Sequence, residues 1–309
     1  MLKLWGVAMV VKVGDIVTRK SYQHDLIFRV HHINKGNVQL YGIEMRLQAD
    51  APMDDLEKIT EPDLEIRQQK TKDKEEFSFR LFHQDYQLMR EKKTYQVTKG
   101  YRHDTTQFQL PAKVLHIDGD PIYLRKCIML YQRVGLHVHG IHLLEKDMPQ
   151  EIGDLIERIQ PDIIVITGHD AYSKNKGEKK DLRAYRNSKY FVEAVREARR
   201  MNPHLDQLVI FAGACQSHFE SLIRAGANFA SSPLRINIHA LDPVYIAARI
   251  AYTPFMESVN VWEALRNTLT GEKGMGGIET RGLLRTGMPY IEEKEEDEEP
   301  DNEEDIVAF

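Results

Sequence analysis

A chain of 309 residues, 42% hydrophobic and 29% charged, has the balance of an ordinary soluble protein and room for one large α/β domain or a medium domain with a small companion. No apolar run approaches the roughly 20 residues needed to span a bilayer, and two cysteines, Cys127 and Cys215, exclude a disulfide framework. The net charge of -5 conceals a tail, "EEKEEDEEPDNEED", whose eleven acids and one lysine sum to -10 and leave about +5 elsewhere.

The opening "MLKLWGVAMVVKVGD" lacks the long apolar core and small-residue cleavage site of a secretory signal, so an intracellular protein is expected. "VKVGDIVTRK", "DLIFRVHHI" and "GNVQLYGIEMRLQ" are short β-segments parted by polar or glycine-containing turns, and predict a small SH3-like, barrel-like module over residues 1–62. With no matched nucleophile and base in "SYQHD" or "HHINKGN" it reads as a recruiter of substrate or partner, and with aromatics only sparsely interleaved among its lysines and arginines nucleic acid is the weaker alternative. The charged run "EIRQQKTKDKEEFSFRLFHQDYQLMREKKTYQ" has no glycine or proline and predicts a helical linker over 63–108.

From residue 109 the pattern alternates strand and helix. "AKVLHIDGD", "LHVHGIHLLE", "DIIVITGHD", "QLVIFAGAC" and "ANFASSP" are apolar strands. Between them, "PIYLRKCIMLYQRVG", "MPQEIGDLIERIQ", "SKYFVEAVREARRM" and "QSHFESLIRAG" have helical spacing, the first opening on Pro121 and closing at Gly135. Continuous apolar strands alternating with helices predict a mainly parallel sheet with helices on both faces, extending to residue 290. The acidic tail, 291–309, repels itself and is expected to be disordered.

Parallel sheets bind ligands at the carboxyl ends of their strands. Two strands end there on reactive side chains, "VITGHD" on His169 and "FAGAC" on Cys215. Cys215 at a strand-to-helix turn would have its thiolate favoured by the helix N-terminus, and small neighbours Gly213, Ala214 and Ser217 suit a crowded turn. A cysteine and a histidine over one crevice can perform acyl transfer, with thiolate attack on a carbonyl and imidazole donating to the departing amine. The oxyanion would be met by the backbone N–H groups of Asp170 and Cys215.

Other clusters have plainer explanations. Cys127 lies in a helix among Leu124, Ile128 and Leu130 and reads as core. His137, His139 and His142 have no matched cysteine or carboxylate cage, so no metal is expected and no cofactor is called for. His116, Asp118 and Asp120 in "HIDGD" either line the crevice or form an ordinary Asp-Gly turn. Asp170 either orients an imidazole or caps the Lys- and Gly-rich loop "DAYSKNKGEKK", which could be a lid or a site of self-cleavage. "GEKGMGGIETRG" lacks the strand and helix that would make it a phosphate loop.

The stretches "VITGHDAYSK", "LDQLVIFAGACQSHFESLIRAGANFASSP", "NIHALDPVYIA", "TPFMESVNVWEALRNTLT" and "GGIETRGLLRTGMPY" closely resemble the YabG family of sporulation-specific proteases, and the likeness runs from about residue 11 to Tyr290. The resemblance implies a cysteine endopeptidase in the mother-cell cytoplasm beside the forming spore coat. It implies coat and coat-morphogenetic proteins as substrates, cleavage beside Arg or Lys, self-cleavage in some members, and His169 and Cys215 as the catalytic pair. The pattern is also similar to the wider caspase, clostripain and separase group, which implies a caspase-like domain; Ala214-Cys215 matches that group, whereas Asp170 replaces its glycine after the histidine. Separase-like enzymes place a specificity acid beyond the cysteine helix, and Asp242 in "HALDPV" is the residue at that place, unless it caps a helix before Pro243. Two other classes share the parts. Glutaminase-type amidohydrolases carry the cysteine first and a later His-x-Glu, the reverse of the order here, and a non-enzymatic coat assembly factor would not need both residues.

Overall fold

The computed structural model describes residues 11–98 and 108–287, so the expectation of a disordered tail over 291–309 lies outside the described residues. Within them no helix is long and apolar enough to cross a membrane.

The first five strands, β1 (Ile16–Arg19), β2 (Phe28–Asn34), β3 (Asn37–Gly42), β4 (Gln48–Pro52) and β5 (Leu56–Lys58), form one antiparallel sheet in the order β4-β3-β2-β1-β5. Asn34 pairs with Asn37, so the hairpin between β2 and β3 turns on Lys35 and Gly36 alone, both at positive φ as a tight right-twisted hairpin requires. Alternate residues Val17, Phe28, Val30, Val38 and Leu40 are sealed inside. Between β3 and β4 the chain leaves the sheet over residues 43–47, and this excursion reaches Asp170 and Cys215 beyond the ends of β9 and β10.

Helix α1 (Glu61–Thr98) follows. Between residues 71 and 89 one side of it meets the rest of the protein: Thr71 hydrogen-bonds to Glu44, Glu75 pairs with His239, Phe82 is buried against Tyr245, with ring centroids 5.8 Å apart, and Tyr86 lies 4.4 Å from Tyr252. Up to Glu91 its other faces are charged and largely solvated, which is why this stretch has strong helical propensity without a clear apolar stripe.

The second part begins with β6 (Phe108–Leu110) and continues through β7 (Val114–Asp118), α2 (Pro121–Arg133), β8 (Val138–His142), α3 (Met148–Ile159), β9 (Ile163–Thr167), α4 (Ser188–Met201), β10 (Val209–Ala212), α5 (Phe219–Ala225) and β11 (Phe229–Ser231). It ends with α6 (Asp242–Tyr252), β12 (Ser258–Val259), α7 (Val261–Leu265), β13 (Met275–Gly277), β14 (Thr280–Arg281) and β15 (Arg285–Gly287). Six strands pair in the order β13-β11-β10-β9-β7-β8, all parallel except β13, while β12 with β14 and β15 with β6 form two small antiparallel pairs. The mainly parallel, helix-flanked α/β sheet read from the sequence is therefore present.

Strand alternation divides the core into two layers. Val114, Ile163, Val165, Val209 and Phe211 face α2 and α6, while Leu115, Ile117, Ile164, Ile166 and Ile210 face α3, α4 and α5. Burial on both faces explains the continuous apolar runs, and it leaves the strand ends as the natural place for polar chemistry.

Candidate active site

Strand β9 lies between β7 and β10, with Ile166 beside Ala212 and Thr167 beside Asp118. Three residues beyond that first pair the chain reaches His169 and Cys215, and two beyond the second it reaches His169 and Asp120. Sheet register alone thus brings these three groups to one level. Gly213 makes the exit from β10 possible: its φ is +109°, and a Cβ there would fall 2.4 Å from Ser231 Oγ. The helix after Cys215 starts later than the sequence implied. His218 caps it by accepting from Ser221 N, and α5 begins at Phe219, four residues past the sulfur.

The imidazole of His169 is 1% exposed and lies between two aromatic rings, Tyr41 stacked at 3.9 Å and Tyr123 tilted at 5.4 Å. Its Nδ1 is 3.7 Å from Glu145 Oε1 and its Nε2 is 3.4 Å from Asp120 Oδ2, a charge contact without hydrogen-bond alignment. Glu145 Oε1 also accepts from the backbone N–H of His169 at 2.7 Å. Burial alone would push this histidine down, but the two carboxylates outweigh it and hold the pKa above the ordinary value. Glu145 and Tyr41 were not anticipated. Glycine marked the place of the acid, since a Cβ on Gly119 or Gly168 would fall 2.3 or 2.5 Å from Glu145 Oε1.

Cys215 is fully buried, its Sγ accepting from Ile238 N at 3.2 Å and facing Ile238 O at 3.6 Å. Among the described residues no hydrogen bond joins the sulfur to the imidazole. Burial pushes the thiol well up, opposite to the lowering expected from a helix N-terminus. The reason lies in the late start of α5 and in a segment of the same chain that covers the turn.

That segment is the excursion between β3 and β4. The N–H groups of Asp170 and Cys215 both donate to the carbonyl oxygen of Arg46, at 3.4 and 3.2 Å. Arg46 N donates to Ile238 O at 3.4 Å, and Glu44 O accepts from Ala240 N at 3.0 Å, so Glu44–Arg46 runs antiparallel to Ile238–Ala240. Met45 and His239 form an antiparallel bridge, and Leu47 bridges to Asp170 on the other side. The hydroxyl of Tyr123 points at the carbonyls of Gly42 and Met45, the second at 2.8 Å.

The Arg46 side chain enters a closed pocket and is 0% exposed. Its Nη1 is 2.6 Å from Asp118 Oδ2, Nε and Nη2 donate to Ala240 O at 3.2 and 2.9 Å, and Nη2 lies 3.4 Å from Cys127 Sγ. The guanidinium also sits 5.1 Å from the centre of the Tyr123 ring. Burial would raise Asp118, but Arg46 and His116 beside it hold the carboxyl well below its usual range. Cys127, pushed up to about 12 by burial, stays a thiol. His116, Asp118 and Cys127 present donor atoms within 4.8 Å of one another, and the cation among them is the guanidinium.

Two acids considered from the sequence are otherwise employed. Asp170 accepts from Ala171 N, Asn187 N and Ser217 Oγ at 2.8 to 2.9 Å and from Ser188 Oγ; it pins the following loop rather than orienting the imidazole. Asp242, fully buried at the start of α6, accepts from His239 N, Leu269 N and Thr270 N at 3.1, 2.6 and 3.4 Å, and from the Thr270 hydroxyl. Burial pushes it up to about 6, and among the described residues no hydrogen bond or ion pair joins it to the guanidinium.

Residues 12–289 match the family model described as YabG peptidase U57. The chain is 58% identical over 287 residues to the "Sporulation-specific protease YabG" of Bacillus subtilis (strain 168), covering 91% of this chain and 99% of that protein. No solved structure matches.

Proposed function

The chain belongs to the YabG peptidase family and is a protease, and from that premise we propose that it is a cysteine endopeptidase cutting on the carboxyl side of arginine. Cys215 is the nucleophile and His169 the acid-base group. The observation that carries this reading is the Arg46 carbonyl, which accepts from the N–H groups of both Asp170 and Cys215 while its side chain fills the pocket at Asp118.

In the proposed reaction a substrate lies antiparallel to Ile238–Ala240, where Glu44–Arg46 now lies, with its arginine in the pocket. The Cys215 thiolate attacks the arginyl carbonyl carbon, and the two N–H groups receive the charge that gathers on the oxygen. His169 protonates the departing amine. Water then opens the thioester, giving its proton back to the imidazole. Asp120 and Glu145 flank the ring and stabilise its cationic form. The role of binding the substrate guanidinium, expected at Asp242, passes to Asp118. Lysine has one point charge where arginine offers a planar fork to Asp118 and Ala240 O together, so arginine is the preferred residue.

The relative's name places that protein in sporulation. For this chain the corresponding proposal is action on spore coat and coat-morphogenetic proteins, in the mother-cell cytoplasm beside the forming coat. A glutaminase is disfavoured, because the pocket carboxylate is suited to a cation rather than an amide.

The test is hydrolysis of arginyl and lysyl peptide amides by wild type, Cys215→Ala and His169→Ala. Both variants are expected to lose about three orders of magnitude or more in kcat, as removal of a nucleophile or its base does elsewhere. A Cys215→Ala protein cutting at the wild-type rate would end the assignment.

A further inference from the structure

We propose that the Arg46–Leu47 peptide bond is a cleavage site of this peptidase within its own chain, and that until it is cut the N-terminal module keeps the cleft closed. The inference rests on the function proposed above and goes beyond it, naming the bond and the consequence of its position.

Occupancy by Ile43–Leu47 resembles that of a bound substrate at three separate points. The main chain of Glu44–Arg46 pairs with Ile238–Ala240 over successive residues. The carbonyl before the scissile bond takes both oxyanion donors. The arginine side chain takes its buried carboxylate partner. The Lys-rich loop considered from the sequence has none of these contacts: Tyr172 O–H closes it onto Gly177, and Lys180 O accepts from His218.

The rest of the module holds the segment down. Tyr41 covers the His169 ring, Arg29 is 3.1 Å from Asp120, and Asp50 pairs with Arg186. His169 and Cys215 are both buried in consequence, so no second peptide reaches them while Arg46 is in place. An opening remains beside the segment, a cavity of about 490 Å³ lined by Glu44, Met45 and Leu47 together with Arg67, Lys70 and Lys74 of α1, through which solvent meets its outer side.

In the reaction the Cys215 sulfur bonds to the Arg46 carbonyl carbon, the C–N bond to Leu47 breaks, and His169 transfers its proton to the Leu47 nitrogen. Water hydrolyses the resulting thioester. The products are an Arg46 carboxylate, a free amine on Leu47 and the regenerated thiol. β3 and β4 remain hydrogen-bonded on either side of the cut, so the two pieces are expected to stay together in native buffer.

The experiment purifies full-length wild type, Cys215→Ala, Arg46→Ala and Arg46→Lys, and follows three readouts: N-terminal mass spectrometry, labelling by an arginyl chloromethylketone, and hydrolysis of an arginyl amide. Wild type is expected to yield a fragment beginning at Leu47, to label only as that fragment accumulates, and to show a matching lag in hydrolysis. Cys215→Ala stays one chain. Arg46→Ala loses the cut and hydrolyses the amide without a lag. Circular dichroism checks its fold, and Arg46→Lys, which keeps a cation in the pocket, is expected to be cut more slowly at the same bond should Arg46→Ala not fold. A synthetic peptide of residues 42–50, "GIEMRLQAD", is expected to be cut between its Arg and Leu by the processed enzyme. The proposal is overturned if wild type hydrolyses the amide and labels at once while the Arg46–Leu47 bond stays whole, or if Arg46→Ala is still cut there. The function proposed above fails separately, by absence of amide hydrolysis in every version including Arg46→Ala, and this proposal falls with it.

Discussion

Asp118 and Asp242 are both aspartates with no exposed surface, each beside the site, one at the end of β7 and the other at the start of α6. Asp118 is held well below the carboxylate range, whereas Asp242 is pushed up to about 6. Depth is the same, so partners make the difference. A guanidinium lies 2.6 Å from Asp118, while every donor to Asp242 is neutral. Neutral donors orient a carboxylate but do not repay the loss of its hydration in full. Burial and short hydrogen bonds therefore do not distinguish a receptor for cations from a structural pin; the charge of the partner does.

The largest effect is expected on breaking the charged member. Asp118→Asn leaves the Arg46 guanidinium buried without its counterion, which costs about 3 to 5 kcal/mol of stability. For the arginyl substrates proposed, the same loss corresponds to a fall of about 10² to several 10³ in kcat/KM, measured once the cleft is open. Asp242→Asn is expected to cost about 1 to 3 kcal/mol through unsatisfied backbone donors, with the arginyl KM changed by less than about threefold. An Asp242 variant that lost arginine selectivity while Asp118→Asn kept it would reverse the comparison.

Acid titration sharpens the contrast, because the two groups act with opposite sign. The depressed pKa of Asp118 contributes stability above its unfolded value near ~3.9, and that contribution is lost as pH falls through the folded value. The raised pKa of Asp242 contributes below ~3.9 and is lost as pH rises through about 6. Denaturant midpoints between acid and neutral pH should therefore show the deficit of Asp242→Asn shrinking as pH rises, and that of Asp118→Asn growing. Parallel curves for the two variants would show that the partners do not set these pKa values.

Much of this was legible in the chain and some of it was not, for physical reasons. The apolar runs ending in "GHD" and "GAC" specify buried parallel strands, and their ends specify where His169 and Cys215 emerge. That they emerge at neighbouring strand ends follows from β9 lying beside β10, a tertiary fact consistent with, though not dictated by, the order of elements. Arg46 was invisible. In "YGIEMRLQ" it reads as one polar residue of a short β-segment, and nothing local marks a side chain whose partner is 72 residues away. Asp118 was seen as a turn residue or a lining residue, and its role depends wholly on that distant arginine. Asp242 attracted the specificity role through its position beyond the cysteine helix, yet its neighbours Leu269 and Thr270 lie in a segment with no apparent link to it in sequence.

His169 lies on the charged side of the same divide, and Asp120→Asn tests how much. Asparagine keeps the cap on α2, where the Asp120 side chain accepts from Ile122 N at 2.7 Å, so the helix is not disturbed. It removes one of the two charges that raise the imidazole pKa. The alkaline limb of the pH–kcat profile is expected to move to lower pH, since in the proposed reaction the imidazolium protonates the leaving amine and would be lost sooner. An unmoved limb would leave Glu145 as the sole acid acting on the ring.

The smallest effect is expected at Tyr123, which touches both halves of the site without carrying charge. Its ring packs 5.4 Å from His169 and under the Arg46 guanidinium, and its hydroxyl points at the carbonyls of Gly42 and Met45. Tyr123→Phe keeps the ring and deletes only the hydroxyl, leaving those carbonyls short of a donor, which costs about 0.5 to 1.5 kcal/mol. The loss falls on docking of the Ile43–Leu47 segment rather than on arginine binding. Release of the segment should therefore quicken by about tenfold or less, seen as faster chloromethylketone labelling of Cys215, with the KM for arginyl amides unchanged in the processed enzyme. An equal change in that KM would mean the hydroxyl positions every substrate and not the module alone, and neutral hydrogen bonds would then count for more in this cleft than the contrast between Asp118 and Asp242 allows.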